Sequence, residues 1–182
     1  MKEKSPVFLF DTNIFLTGID FSVFKGIVYT TPSVIEEVKF SKYIEKNRNI
    51  LNKIYAAIES KKLKLQSPKN EYIEKIGAFS KKTGDLKALS NVDKELLALS
   101  LELKDKEEKE VIVYSNDYSI ENVCAELNIN FSPLYKGGIV SKIIWEIYCP
   151  FCKEIYTADF YNRICEKCGS KLKRRPNRNK LF

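Results

Sequence analysis

Two cysteine pairs, Cys149-Pro150-Phe151-Cys152 and Cys165-Glu166-Lys167-Cys168, stand near the end of this 182-residue chain with twelve residues between them. Two CxxC knuckles offer four thiolates that can close as a tetrahedron on one zinc ion, at Zn–S distances of about 2.3 Å. The spacing predicts a zinc ribbon over 141–173, in which metal supplies the stability that about forty residues cannot gain by packing. Gly169 after the second knuckle permits the tight turn of such sites. Tyr148, Ile155, Tyr156, Phe160 and Tyr161 suit its short hairpins. Four cysteines fill four coordination positions, so this zinc is expected to be structural. Disulfides or redox CxxC pairs are the competing reading, disfavoured in a cytosolic chain. Cys124, the fifth cysteine, falls on an apolar helical pattern and is assigned to the core.

The chain has no histidine. Ser-His-Asp and Cys-His nucleophilic centres, histidine-ligated metals and a histidine general base are thereby excluded. Chemistry at neutral pH must rest on carboxylates, lysine, tyrosine, cysteine or a metal-activated water. Apolar residues at 44% and charged residues at 30% are those of a soluble globular protein. No run approaches the roughly 18 apolar residues of a membrane span, and the opening MKEKSPVFLFD lacks the form of a signal peptide. A cytoplasmic protein with no membrane partner is expected.

The net charge of +7 is uneven. Residues 143–182 hold nine Lys+Arg against four Asp+Glu, leaving 22 of 31 and 20 of 24 to the first 142. Zinc with four thiolates brings −2, so the folded back segment is nearer +3 than +5. Positive charge gathers in the basic tail at 174–182 and just before it. Lys171, Lys173, Arg174, Arg175 and Arg178 are the candidate phosphate contacts, against the plainer reading of a solvated end.

Ahead of the ribbon, short apolar runs alternate with helical patterns, which predicts an α/β domain with a largely parallel sheet over 1–140. Val7–Phe10, Ile27–Tyr29, Leu63–Leu65, Val111–Tyr114 and Ile129–Phe131 read as strands. Ser33 with Glu36 has capping-box spacing and opens a helix running to about Glu59. Helices are also expected from Pro68 to Lys82, from Ser90, and after Asp117, with a loop over Lys104–Glu110. Gly137-Gly138 marks the boundary region.

Four acids stand where a strand or loop hands over to a helix: Asp11, Glu37, Asp93 and Asp117. In a parallel α/β sheet these handovers collect at the carboxyl edge, where ligands bind. Singly, Asp11 and Asp117 read as N-caps, Asp93 as a first-turn acid and Glu37 as a solvated helix residue. Jointly they make a cleft of like charges, which calls for cations, and oxygen-only ligands select Mg²⁺ or Mn²⁺ over zinc.

The run Phe8-Leu9-Phe10-Asp11-Thr12-Asn13 resembles the opening strand and D-T-N of PIN-domain ribonucleases. Thr31 to Val38, Leu89 to Asp93 and Ser115 to Ile120 resemble their second, third and fourth motifs, the second selecting Glu37 over Glu36. With a four-cysteine ribbon and a basic end, nearly the whole chain resembles the Nob family, endonucleases of small-subunit ribosomal RNA maturation in archaea and eukaryotes. Asp117 to Val123, DYSIENV, is close to that family's D-Y-x-x-Q-N-V. Asn116 departs from it, standing where an aspartate is common and removing one negative charge from the site.

The resemblance implies a PIN-like parallel sheet flanked by helices, joined to a zinc ribbon. It implies hydrolysis of RNA phosphodiesters with one or two Mg²⁺ or Mn²⁺ ions held by Asp11, Glu37, Asp93 and Asp117. Thr12, Asn13, Ser115 and Asn116 are expected to orient ligands and water there. The implied substrate is precursor small-subunit (16S) rRNA, processed at its 3′ end within the pre-ribosomal particle. A PIN-domain toxin and an RNA-binding scaffold with a silent acidic site are the alternatives.

Overall fold

A computed structural model describes residues 6–40, 44–83, 88–107, 110–134, 145–157, 160 and 163–176. Strand β1 (Val7–Phe10) is buried at all four positions, as a continuous apolar run requires when both sheet faces are covered. It lies between β2 (Ile27–Thr30) and β4 (Val111–Tyr114), with β3 (Leu63–Leu65) and β5 (Asn130–Ser132) at the edges. All four strand pairings are parallel.

The helices are α1 (Thr12–Phe15), α2 (Pro32–Phe40), α3 (Ile44–Glu59), α4 (Asn70–Thr83), α5 (Asn91–Glu107) and α6 (Tyr118–Glu126). The chain winds from β1 through β2 to β3, then resumes on the other side of β1 as β4 and β5. The gap between the carboxyl ends of β1 and β4 is therefore the topological switch point, where a crevice opens. Phe10 pairs with Tyr114, which sets Asp11 and Ser115 abreast at that gap. Beneath it Phe10 packs edge-on against Phe15, Phe24 and Tyr114, with centroids 5.8, 4.8 and 5.5 Å away. Cys124 is buried in this core, and burial pushes its thiol pKa well up.

Several boundaries differ from the sequence expectation. Helix α2 begins with Pro32, and the Thr31 hydroxyl accepts the Val34 N–H at 3.4 Å, so Thr31 takes the capping role assigned to Ser33. Proline at the first helical position explains the shift, since its fixed φ suits N1 and it has no N–H to satisfy. The single helix expected up to Glu59 is described as α2 and α3, with 41–43 outside the described residues. Helix α5 runs on to Glu107, so the loop expected over Lys104–Glu110 is shorter. The last parallel strand starts at Asn130, one residue later than expected, because Ile129 N–H is taken by the Cys124 carbonyl at 2.8 Å. Gly137-Gly138 and Arg178 lie outside the described residues.

The second sheet is antiparallel, with β6 (Trp145–Tyr148) between β7 (Ile155–Tyr156) and β8 (Lys173–Pro176). Arg174 and Arg175, grouped on sequence with the tail, stand in β8 opposite Ile147 and Glu146. Gly169 has φ +71°, the left-handed turn expected after the second knuckle. Among the described residues of this sheet and its loops, the only fully buried apolar side chains are Cys149 and Cys165. Phe151, Ile155 and Ile164 are exposed. No helix among the described residues is long and apolar enough to cross a membrane.

Candidate active site and zinc cluster

Asp11 ends β1 and caps α1, its Oδ1 accepting the Thr12 N–H at 2.6 Å. Its Oδ2 accepts Asn13 Nδ2 at 2.5 Å and the Ser115 hydroxyl at 2.8 Å. Ser115 in turn accepts the Asp117 N–H at 3.0 Å, so one hydroxyl links the ends of β1 and β4. Asp117 caps α6 through Oδ1, which accepts the Ser119 N–H at 2.7 Å. Asn13 Oδ1 accepts the Asn116 N–H at 3.3 Å, and Asn116 Oδ1 accepts the Leu134 N–H at 3.1 Å. The capping and cleft readings of Asp11 and Asp117 are thus compatible: the cap uses one oxygen of each.

Glu37 approaches from α2, where the Thr12 hydroxyl donates to its Oε2 at 2.5 Å. Its neighbour Glu36 pairs instead with Lys39 Nζ at 2.6 Å, on the exposed side of the helix. Asp93, at the third position of α5, closes a capping box with Ser90. Asp93 Oδ2 accepts the Ser90 N–H at 2.7 Å, and Ser90 Oγ accepts the Asp93 N–H at 3.1 Å.

The four carboxylates act on one another electrostatically. Burial pushes the Asp11 pKa from the ordinary 3.8 up to about 6; hydrogen bonds from Ser115 and Thr12 oppose the rise, while the charges of Asp93 and Asp117 reinforce it. Asp93 is also raised, first by burial, with its Ser90 bonds opposing and Asp117 and Glu37 adding. The charges that raise these two groups are those of the other acids of the set. A divalent cation fits such a donor set, hard oxygens of like charge. The acids are not clenched, however. Among the described residues, only the four cysteines form a group of three or more candidate ligands with donor atoms all within 4.8 Å of one another.

Two contributors escaped the sequence reading. Ser33 Oγ donates to Glu95 Oε2 at 2.6 Å, which ties the helix carrying Glu37 to the helix carrying Asp93 across 62 residues. No local pattern signals a pair at that separation. Ser90, by contrast, was legible as S-x-x-D, although only the start of a helix was read from it.

The Sγ atoms of Cys149 and Cys168, and of Cys152 and Cys165, lie 3.5 Å apart. A tetrahedron with 2.3 Å metal–sulfur bonds has edges of about 3.8 Å, so the cluster fits one zinc ion with little adjustment. Of the basic residues picked on sequence, Lys171 and Lys173 are exposed. The Arg174 guanidinium stacks 4.0 Å from the Trp145 ring centre and that of Arg175 4.4 Å from Tyr148. Arg175 Nε also donates to Glu146 at 2.7 Å, which offsets much of its charge.

A helix-flanked parallel sheet with carboxylates from separate connections at its switch point defines a PIN-type nuclease domain, and the family described as the PIN domain of ribonuclease matches residues 8–103. The match to known relatives extends over the ribbon. Endoribonuclease Nob1 of Methanocaldococcus jannaschii is 36% identical over 171 residues, 94% of this chain and 78% of its own. Endoribonuclease Nob1 of Pyrococcus abyssi is 34% identical over 170 residues, 93% of this chain and 94% of its own. A protein of Thermoplasma acidophilum named Ribonuclease VapC1 is 28% identical over 174 residues, 96% of this chain. The chain belongs to the Nob1 family of endoribonucleases, and it is a hydrolase of the nuclease class.

Proposed function

We propose that Asp11, Glu37, Asp93 and Asp117 hold one or two Mg²⁺ or Mn²⁺ ions and that the chain cuts precursor small-subunit rRNA at its 3′ end, in the cytoplasm. The observation that carries this reading is the meeting of like charges at the switch point, with Asp11 buried to 4% exposure among them. Bound there, a divalent ion would polarise the phosphodiester and acidify an attacking water. The protein's own part is positioning. Ser115 and Asn13 fix both the place and the orientation of the Asp11 carboxylate, and Thr12 fixes that of Glu37. One zinc ion on Cys149, Cys152, Cys165 and Cys168 would be structural. Lys171, Lys173 and the ring-backed Arg174 and Arg175 supply phosphate and base contacts suited to unpaired RNA.

The test is cleavage of a precursor rRNA fragment spanning the mature 3′ end, beside an unrelated RNA of equal length. A discrete cut that requires Mn²⁺ or Mg²⁺ and is confined to the precursor is expected. Binding without a cut under any divalent ion would leave an RNA-binding scaffold, and equal cutting of both RNAs would remove the rRNA assignment.

The two neighbouring glutamates give a sharper internal control. Glu37→Gln is expected to slow cleavage at least a hundredfold, since it weakens a charge placed at the centre. Glu36→Gln, which loses only an exposed ion pair, is expected to stay within about twofold of the parent rate. Equal effects of the two variants in the same kinetic assay would remove Glu37 from the site.

A further inference from the structure

We propose that Tyr156 holds Cys165 in its ligating position, its phenolic hydroxyl donating a hydrogen bond to the sulfur from outside the coordination sphere; this rests on the zinc reading of the four-cysteine cluster. The Tyr156 oxygen lies 3.1 Å from Cys165 Sγ and accepts the Glu166 N–H at 3.1 Å. Between a free thiol and a phenol, either atom can donate. A sulfur ligated to zinc has lost its proton, so the phenol alone can donate, and its oxygen lone pairs then face the Glu166 N–H. The Tyr156 oxygen thus links the Glu166 N–H to the Cys165 sulfur.

Placement makes this bond matter. Tyr156 belongs to β7, in the hairpin of the first knuckle, while Cys165 opens the second. The bond therefore joins the two knuckles, around which the only fully buried apolar side chains among the described residues are Cys149 and Cys165. The Tyr156 ring is itself positioned by Phe160, with centroids 4.4 Å apart. Cys165 is 1% exposed, whereas Cys168 is exposed, so water is poorly placed to solvate the Cys165 sulfur. A buried anionic sulfur needs a donor, and Tyr156 supplies one from a side chain that can be altered without touching the ligands.

The experiment uses the full chain loaded with zinc, its metal content measured first. Tyr156→Phe keeps the ring and removes the hydroxyl. It is expected to weaken zinc binding about tenfold or more in competition with a chromogenic chelator, within the range for outer partners of metal ligands. In the cobalt-substituted protein the thiolate-to-cobalt charge-transfer band is expected to shift. Alkylation mapped by mass spectrometry is expected to rise at Cys165 relative to the equally buried Cys149. Phe160→Leu loosens the ring but keeps the hydroxyl, so its cobalt band is expected to match that of the parent. The proposal is overturned if Tyr156→Phe keeps zinc affinity within twofold and the cobalt band in place. It is overturned equally if both variants lose affinity with no change of band and uniform alkylation, which is packing alone. A parent chain that carries no zinc sinks both this proposal and the zinc reading beneath it.

Discussion

Replacing Asp11 by asparagine is expected to abolish RNA cleavage, by a thousandfold or more, while making the metal-free protein more stable. The first effect follows from the charge lost at the crevice, since several kcal/mol of transition-state stabilisation correspond to about three decades in rate. The second follows from burial. Between about pH 4 and 6 the folded chain keeps a proton on Asp11 that the unfolded chain has released, so stability falls as the pH rises through that window and is level above it. Moving the carboxyl from 3.8 to about 6 corresponds to about 3 kcal/mol once it is ionised. Asparagine escapes that cost but serves fewer of the donors Thr12, Asn13 and Ser115, leaving a net gain of about 1–2 kcal/mol at pH 7.5 and little at pH 4. Thermal unfolding in buffer free of magnesium and manganese, together with a gel-shift titration against the same RNA, measures both. A variant that unfolds earlier than the parent at pH 7.5, or still cuts at a tenth of the parent rate, would remove Asp11 from the proposed role.

Removing the zinc is expected to unfold the three-stranded sheet and leave the five-stranded one standing. The two regions differ in what holds them. The parallel sheet has a continuous core from Val7 to Ile129, whereas among the described residues of the small sheet and its loops only Cys149 and Cys165 are fully buried apolar side chains. Without metal, those thiols are a poor substitute for packing, and the ordering entropy of about thirty residues goes uncompensated. Cys149→Ser should release the ion, abolish amide protection in β6–β8 and preserve protection in β1 and β4. RNA affinity should fall at least tenfold, because Arg174 and Arg175 lose the Trp145 and Tyr148 rings that hold them flat. Hydrogen exchange read by mass spectrometry separates the regions in a single experiment. Retained protection in β6–β8 of the substituted protein would count against a structural metal.

The legible features were those set by residues close together in the chain. Period and composition gave five parallel strands within a residue of their observed places, because apolar β-branched and aromatic runs leave few alternatives. CxxC spacing gave the cysteine cluster. The errors were equally local: Pro32 claimed the first helical position that Ser33 had been expected to precede, and Ile129 was held in the turn after α6. Choosing Glu37 for the crevice rested on a family likeness, whereas capping-box spacing assigned Glu36 to the helix start.

The sequence by itself determined which residue types were available for chemistry: no histidine, four acids at element boundaries and four paired thiols. Only the tertiary structure decided that β1 and β4 are neighbours, and therefore that Asp11 and Ser115 meet across 104 residues of chain. The same pairing raises the Asp11 pKa, because burial and the charges of Asp93 and Asp117 are properties of a place in the fold. Sequence sets each side chain's chemistry and local backbone preference, while strand order sets which carboxylates share a crevice.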